Sequence, residues 1–368
     1  MKFKEYLIEA AFDAIIDYRG KTPKKSDTGI PTLSAKSVKN NHINYSECYY
    51  ISEDEYKRFM VRGFPQKGDI LLTTEAPMGM VAKLDRSDVA IAQRLLTLRG
   101  KEGVLDNDYL LYLLQSPYGQ GLLKERETGT TVTGIKQAEF RRIIVKLPDI
   151  AVQRKIGSVL SAIDQKIECN TKINDNLQQQ AQAIYASMFI INADPAWAQG
   201  HLSDLITVKY GKDHKKLADG VYPVFGSGGI MRYVERPLYT GESVLIPRKG
   251  TLNNVMYVNE PFWSVDTMFF TEMKVPNVAK FVFHFVKAKD LASMNAGSAV
   301  PSMTTDILNA LELAIPPADR LAEFESAVTP MYQMMQANSR ESAKLAELRD
   351  TLLPKLMTGE VDVSSIQF

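Results

Sequence analysis

QRKIGSVLSAIDQKIECNTKINDNLQQQAQAIYASMF, residues 153–189, places apolar side chains at alternating steps of three and four: Ile156, Leu160, Ile163, Ile167, then Leu177, Ile184 and Met188. That spacing is a heptad seam on a long helix, free of proline and, after Gly157, of glycine. In its middle the seam turns polar, at Asn170 and Asn174. Residues 321–359 repeat the pattern with Phe324, Val328, Met331, Met335, Leu345, Leu352 and Leu356, and with Asn338 and Ser342 in the polar gap. A shift of 168 residues lays one seam on the other, Asn170 onto Asn338 and Asn174 onto Ser342. A helix with one apolar stripe needs a partner, and each stripe predicts the other as that partner.

The rest of the chain is organised around this pair. Residues 1–150 read as a first globular domain with a mainly β body. Its signals are the basic turn Tyr18-Arg19-Gly20-Lys21-Thr22-Pro23-Lys24-Lys25 and an alternating run over 32–38. Strands are expected at 68–74, 81–84 and 90–98, a helix over 109–125, a Gly/Thr loop over 128–134 and a short helix over 137–144. Residues 151–191 form the first long helix, and residues 192–200, with Pro195 and Trp197, a linker. A second globular domain occupies 192–317, a second long helix 318–360, and a tail 361–368. The second domain echoes the first. Tyr210-Gly211-Lys212-Asp213-His214-Lys215-Lys216 answers the basic turn, and 241–246 answers 68–73. Ser264-Val265-Asp266-Thr267 falls where Ile91–Arg94 fell, and Gly297-Ser298-Ala299-Val300 matches Gly129-Thr130-Thr131-Val132. The chain is therefore a duplicated unit of α+β class.

Duplication constrains the geometry. The first helix leaves one domain and ends beside the other, and the second must return. The pair is expected to be antiparallel, with one domain at each end, an approximate two-fold axis across it, and Asn170 near Ser342 and Asn174 near Asn338. A buried polar layer of this kind fixes register at some cost in stability. A helix of 37 residues spans about 55 Å at 1.5 Å per residue. That separates two heads by on the order of one turn of B-DNA, roughly 34–36 Å, or somewhat more. Pro354 is expected to kink or end the second helix.

Composition narrows the function. The chain has 368 residues, 45% of them hydrophobic, and a net charge of +1, so recognition of a polyanion would depend on local patches. Cys48 and Cys169 stand alone, which favours a reducing cytoplasm. No signal peptide or membrane span is legible. Catalytic motifs are also missing. Gly20-Lys21-Thr22 lacks the upstream glycine of a phosphate loop, since Ile15 stands there, and no His-Glu-x-x-His, nucleophile elbow, paired-cysteine site or amino-methyltransferase motif occurs. His42, His201, His214 and His284 are scattered. The chain reads as one that recognises rather than converts, with no cofactor or metal of its own.

Basic loop clusters are usually solvated surface, but two at matching places in a duplicated unit point to phosphate contacts. The candidate DNA-binding residues in the first half are Arg19, Lys21, Lys24, Lys25, Lys36, Arg94, Thr130, Thr131 and Lys136. In the second half they are Lys212, His214, Lys215, Lys216, Arg248, Lys249, Asn253, Asn254 and Ser298. The Gly/Ser/Thr loops can offer backbone N–H groups to phosphates, and Gln93, Arg94, Arg248, Lys249, Asn253 and Asn254 are types that read base edges. Asn170, Asn174, Asn338 and Ser342 are the candidates for helix register.

The ordered set of motifs resembles the specificity subunit of type I restriction-modification systems. The residues carrying the resemblance are Asp17-Tyr18-Arg19-Gly20-Lys21-Thr22-Pro23, Gly68-Asp69-Ile70-Leu71, the loop 128–134 leading to Leu147-Pro148, and Gln153-Arg154-Lys155-Ile156. They continue with 222–229 (YPVFGSGG) and the closing 352–360 (LLPKLMTGE). After Pro148, Asp149-Ile150-Ala151-Val152 stands where a second proline and an acidic, Gln-rich run are common in that family, and Asp319-Arg320-Leu321 replaces the Gln-rich run in the second half. The resemblance implies two target-recognition domains, each reading half of a bipartite asymmetric double-stranded DNA target from the major groove, with the helices setting the gap. It implies two methyltransferase subunits docked on the outer helix faces, using S-adenosylmethionine to methylate adenine in each half-target. Restriction subunits supply ATP- and Mg-dependent translocation and cleavage. The specificity subunit itself is not catalytic. The alternatives are a coiled-coil scaffold with two protein-binding heads and a self-contained DNA methyltransferase or nuclease.

Overall fold

The computed structural model describes residues 1–18, 20–129, 133–294 and 302–363. Arg19, Thr130, Thr131, Ser298 and the rest of the 297–300 motif lie outside the described residues. The chain divides into two compact units, Met1–Asn170 with Arg340–Phe368, and Thr171–Ser339. Both long helices contribute one end to each unit.

The first unit runs β1 (Phe3–Leu7), β2 (Phe12–Asp17), β3 (Ile30–Leu33), β4 (Val38–Lys39), β5 (His42–Ile43), β6 (Tyr49–Ile51), α1 (Glu53–Phe59), β7 (Ile70–Thr73), β8 (Val81–Lys83), β9 (Ala90–Ile91), β10 (Leu95–Gly100), α2 (Asn107–Gln115), α3 (Pro117–Lys124), α4 (Gln137–Arg141), β11 (Ile144–Pro148) and α5 (Ile150–Ala186). Its central sheet has the order β2-β10-β7-β8, all antiparallel. A three-stranded sheet, β6-β3-β9, includes one parallel pair, and β1 pairs with β11. β7 is buried on both faces, as its unbroken ILLT predicts. Two cores result. One joins α2, the central sheet and the seam residues Ile156, Leu160 and Leu356. The other lies beneath the three-stranded sheet around Tyr18, Leu33, Ile51 and Ile91.

The second unit runs β12 (Ala198–His201), α6 (Leu202–Leu205), β13 (Ile206–Tyr210), β14 (Asp219–Gly226), β15 (Gly229–Val234), β16 (Ser243–Pro247), β17 (Met256–Val258), β18 (Trp263–Ser264), β19 (Met268–Met273), α7 (Ala279–Lys287), α8 (Thr305–Asn309), β20 (Glu312–Ile315) and α9 (Ala318–Thr358). Its sheets are β13-β19-β16-β17, β15-β14-β18 and β12-β20. The three sheets repeat those of the first unit, down to the parallel pair, β14 with β18, while the short β4-β5 pair of the first unit has no counterpart among the described residues. The fold is α+β, one mainly β plan used twice.

The hydrogen-bond register corrects two of the sequence correspondences by one residue. Thr73 faces Leu95 in the first unit, and Pro247 faces Met268 in the second, so Pro247, not Ile246, stands where Thr73 stands. Likewise Asp17 faces Leu96 while Tyr210 faces Phe269, so Tyr210 sits at the station of Asp17 rather than Tyr18. In a strand one residue is one face. Tyr18 accordingly points inward and is fully buried, whereas Tyr210 is 52% exposed. Glycine positions guided the sequence alignment, and turns tolerate a one-residue slip that a ladder does not.

Local rules set the other differences. The helix expected over 109–125 is two helices, because Ser116 ends α2 and its hydroxyl accepts from the Gly119 N–H to cap α3, with Pro117 in the first turn. The run expected over 90–98 breaks into β9 and β10 at a corner. β12 begins inside the stretch expected to be a linker, because it pairs with β20. The long helices start at Ile150 and Ala318, within one residue of the expected 151 and 318 and shortly after Pro148 and Pro317. Gly157 allows α5 to cross the start of α2, since a Cβ there would lie 2.9 Å from Asp108 Cβ. Pro354 does not end α9, which continues to Thr358 and stops at Gly359, with φ +79°. Leu353, Leu356 and Met357 are buried and hold that last turn.

Within each unit the long helices run antiparallel. In the first, Asp164 meets Arg349 and Asn170 donates to Glu341 and to Ser342 Oγ, at 2.8 and 3.2 Å. In the second, Asn338 Nδ2 donates to Asn174 Oδ1 at 2.9 Å, and Asn174 Nδ2 donates to the Met335 carbonyl at 3.2 Å. The apolar seam is fully buried at Ile156, Leu160 and Leu356 in one unit and at Phe324 and Val328 in the other, and the polar Asn170 is fully buried as well. Ile163, Ile167 and Leu177 are half-buried. Each junction also carries a polar pin. Tyr112 on α2 donates to Asp164 at 2.7 Å. At the matching places His284 on α7 bonds Tyr332 at 2.9 Å, and its Nδ1 bonds Gln182 at 2.7 Å.

Candidate nucleic-acid interface

In an antiparallel sheet the C-terminal ends of β2 and β7 and the N-terminal end of β10 lie together. In the first unit the basic turn, the β7–β8 loop and the β9–β10 corner therefore emerge side by side. They are stitched by main-chain bonds: Thr74 N–H donates to the Arg94 carbonyl at 3.0 Å, and Ile135 N–H to the Thr74 carbonyl at 2.9 Å. A bridge between Glu75 and Gly134 ties in the Gly/Thr loop. The basic turn joins through Gln93 Nε2, which donates to Thr22 Oγ1 at 2.6 Å. Below it Tyr18 anchors the turn, its hydroxyl accepting from Arg62 N–H and donating to the Gly63 carbonyl, both at 2.8 Å, while burial raises its pKa.

The second unit builds the same frame. Arg248 N–H donates to the Thr267 carbonyl at 2.9 Å, Met303 N–H to the Arg248 carbonyl at 2.9 Å, and Lys249 bridges Ser302. Lys212 N–H donates to the Ser264 carbonyl at 2.8 Å, and the Trp263 indole donates to the Lys212 carbonyl at 2.8 Å, which fixes the basic turn. Bond for bond, Arg248 stands where Thr74 stands, Lys249 where Glu75 stands, and Thr267 where Arg94 stands.

Lys21, Lys24, Lys25, Lys36, Lys136, Lys212, Lys215, Lys216 and Lys249 are exposed, and His214 is half-buried. Lys25 lies 4.8 Å from the centre of the Tyr49 ring, and Lys24 N–H donates to Glu55 at 2.9 Å. Lys136 follows Ile135 directly and precedes α4. Lys36 sits apart, in the turn between β3 and β4. Arg94 pairs with Glu75, Nε to Oε1 at 3.0 Å. The Arg248 guanidinium lies 5.4 Å above the Tyr210 ring and donates to the Asp266 carbonyl at 3.2 Å. The two asparagines hold loops. Asn253 donates to Asp290 at 3.0 Å and accepts from Ala292 N–H at 3.0 Å, and Asn254 donates to the Ser227 carbonyl at 2.8 Å. Arg19, Thr130, Thr131 and Ser298 lie outside the described residues.

Sequence reasoning overlooked Glu75 and Thr267, which become visible only when the two frames are superposed bond by bond. It also overlooked Tyr50 and Tyr233. These face Pro31 and Pro223, equivalent prolines, from the edge strands β6 and β15, and are 40% and 49% exposed. Among the described residues no group of three or more His, Cys, Asp or Glu is placed to hold a metal ion, and no helix is long and apolar enough to cross a membrane.

A plan used twice, each copy presenting cationic loops from one end of its sheet, defines a two-headed nucleic-acid-recognition protein. The family model for the type I restriction modification DNA specificity domain matches residues 15–179 and 196–323, and the chain belongs to that family. It is 24% identical to the type I restriction enzyme MjaIX specificity subunit of Methanocaldococcus jannaschii, over 92% of this chain and 88% of that one. It is 20% identical to the HindI specificity subunit of Haemophilus influenzae, over 80% and 87%. The crystal structure of a type I restriction-modification S subunit from M. genitalium covers 97% of this chain and 96% of its own, with a TM-score of 0.64 at 18% identity, and so shares the fold. The chain is thus a DNA-sequence-recognition subunit, the non-catalytic member that associates with the other subunits of a restriction-modification system.

Proposed function

We propose that each unit reads one half of a bipartite, asymmetric DNA target and that the long helices set the unspecified gap between the halves. The observation that carries this is the loop frame: the same main-chain bonds recur in both units while the side chains mounted on them differ. A shared frame suits a common task, and different side chains suit different half-sequences. Lys21, Lys24, Lys25 and Lys136 in one unit, and Lys212, Lys215, Lys216, Arg248 and Lys249 in the other, are assigned to phosphates. Asn170, Asn174, Asn338 and Ser342 fix the helix register. Two methyltransferase subunits dock on the outer helix faces and methylate one adenine per half-target, using S-adenosylmethionine. Restriction subunits bring ATP and Mg to cleavage. All of this takes place in the cytoplasm.

Sequencing the methylated bases of a cell that expresses this chain with its methyltransferase partner tests the reading. The expected result is one motif with two specified halves, different from each other, around a fixed gap. A single continuous motif would refute it.

A further inference from the structure

Of the residues on the two loop frames, Arg94 is held in the most unusual way. Its φ is +67°, and the neighbouring loop residue Ala76 has φ +56°. Among the described residues only Asn41 and Asn277 share such a backbone without being glycine, and asparagine tolerates it. For arginine the left-handed region is sterically unfavourable. The fold does not demand it. Thr267 closes the same corner with the same main-chain bond and is not among the residues of positive φ. Strain that the scaffold does not need is a pointer to function.

The side chain explains what the strain achieves. Glu75 meets Arg94 through Nε, at 3.0 Å, and the arginine side chain remains 53% exposed. The ion pair runs through Nε and leaves the two terminal nitrogens to act as a fork. Gln93 is occupied with Thr22, so Arg94 is the polar side chain this corner presents. The local charge decides what the fork suits. Arg94 with Glu75 is neutral, and a carboxylate 3.0 Å from the guanidinium repels a phosphate. Arg248 with Lys249, at the matching stations of the other unit, is doubly positive. A fixed, charge-balanced arginine fork matches guanine O6 and N7, the pairing that distinguishes G·C in the major groove.

We propose that Arg94 reads a guanine in the half-target of the first unit and that Glu75 is its positioning residue. This rests on the reading of one half-target per unit. The test is competition binding of DNA by the full chain with its methyltransferase partner, over all single-base variants of the target and at several salt concentrations. For R94A, discrimination at one G·C position of one half is expected to fall roughly five- to 150-fold, with the other half untouched and the salt slope retained. R94K keeps the charge and loses the fork, and should match R94A. Glu75→Gln should lose discrimination at the same position while gaining affinity for unrelated DNA, and Glu75→Asp should restore part of the discrimination. Circular dichroism melts of each variant confirm folding. A uniform loss across all sequences for R94A, with a salt slope smaller by about 1, would make Arg94 a phosphate contact and overturn the proposal. So would a first half-target without a specified G·C pair. Loss of preference at both halves together would instead refute the division of the target between units.

Discussion

Thr74-Glu75 and Arg248-Lys249 occupy the same two stations of the same hydrogen-bonded loop, yet one pair carries a single negative charge and the other two positive charges. The corner beside them compensates in part, with Arg94 in one unit and Thr267 in the other. The contrast repeats deeper down. Asp108 on α2 forms a half-exposed ion pair with Lys83, whereas Lys280, at the matching place on α7, is buried between Glu242 and Glu325. Backbone plan and chemical content have therefore diverged separately. What was preserved is the pattern of main-chain bonds. What changed is much of the side-chain chemistry mounted on it.

Lys280 should show the largest difference between the two units. Replacing it with Met leaves two carboxylates facing each other without a counter-ion, and urea unfolding should show a loss of about 3–5 kcal/mol. Asp108→Asn in the first unit should cost less than about 1 kcal/mol, because its pair is open to water. Equal losses would mean that the two junctions are energetically alike after all.

His284 gives the next largest difference. Burial, with the nearby charge of Lys287, holds its imidazole at about 4, below the ordinary 6.5. Above pH 6.5 both folded and unfolded forms are neutral, and the stability is fully present. As pH falls from 6.5 toward 4, the unfolded chain takes up a proton that the folded chain refuses, and up to about 3 kcal/mol is lost. Tyr112, at the equivalent place, does not titrate in this range. Urea midpoints at pH 7 and pH 4.5 should therefore fall more for the native chain than for His284→Gln. Parallel decreases would exclude the imidazole as the cause.

The smallest effect concerns the loops. Arg248→Ala with Lys249→Ala should reduce the slope of log affinity against log salt by about 2, roughly a tenfold change in affinity between 50 and 200 mM. A base-specific loss in the double variant would move Arg248 from the phosphates to the bases.

Much of this plan is legible in the sequence. The seams, their 168-residue shift, the duplicated body and the basic turns all rest on periodicity, which a single chain displays. The stations of individual residues are not legible. Tyr18 and Tyr210 look equivalent in sequence and differ by one step in the ladder, which places one in a core and the other under an arginine. Asn253 and Asn254 have the chemistry to read bases, but their amides hold loops, a commitment visible only in three dimensions. Glu75 carries no motif at all. Its meaning comes from Arg94, nineteen positions away in the chain and one ion pair away in space. Pro330 lies inside α9 without ending it, because the buried Phe324, Val328 and Tyr332 hold the helix on either side.

The loop frame has a consequence for heredity. Its closing bonds run from backbone N–H to backbone carbonyl, and nearly any amino acid can supply those groups. Substitution at positions 75, 94, 248, 249 or 267 alters what the loop presents without removing a bond that closes it. A lineage can therefore change what the loop presents one codon at a time while the bonds that close it stay in place.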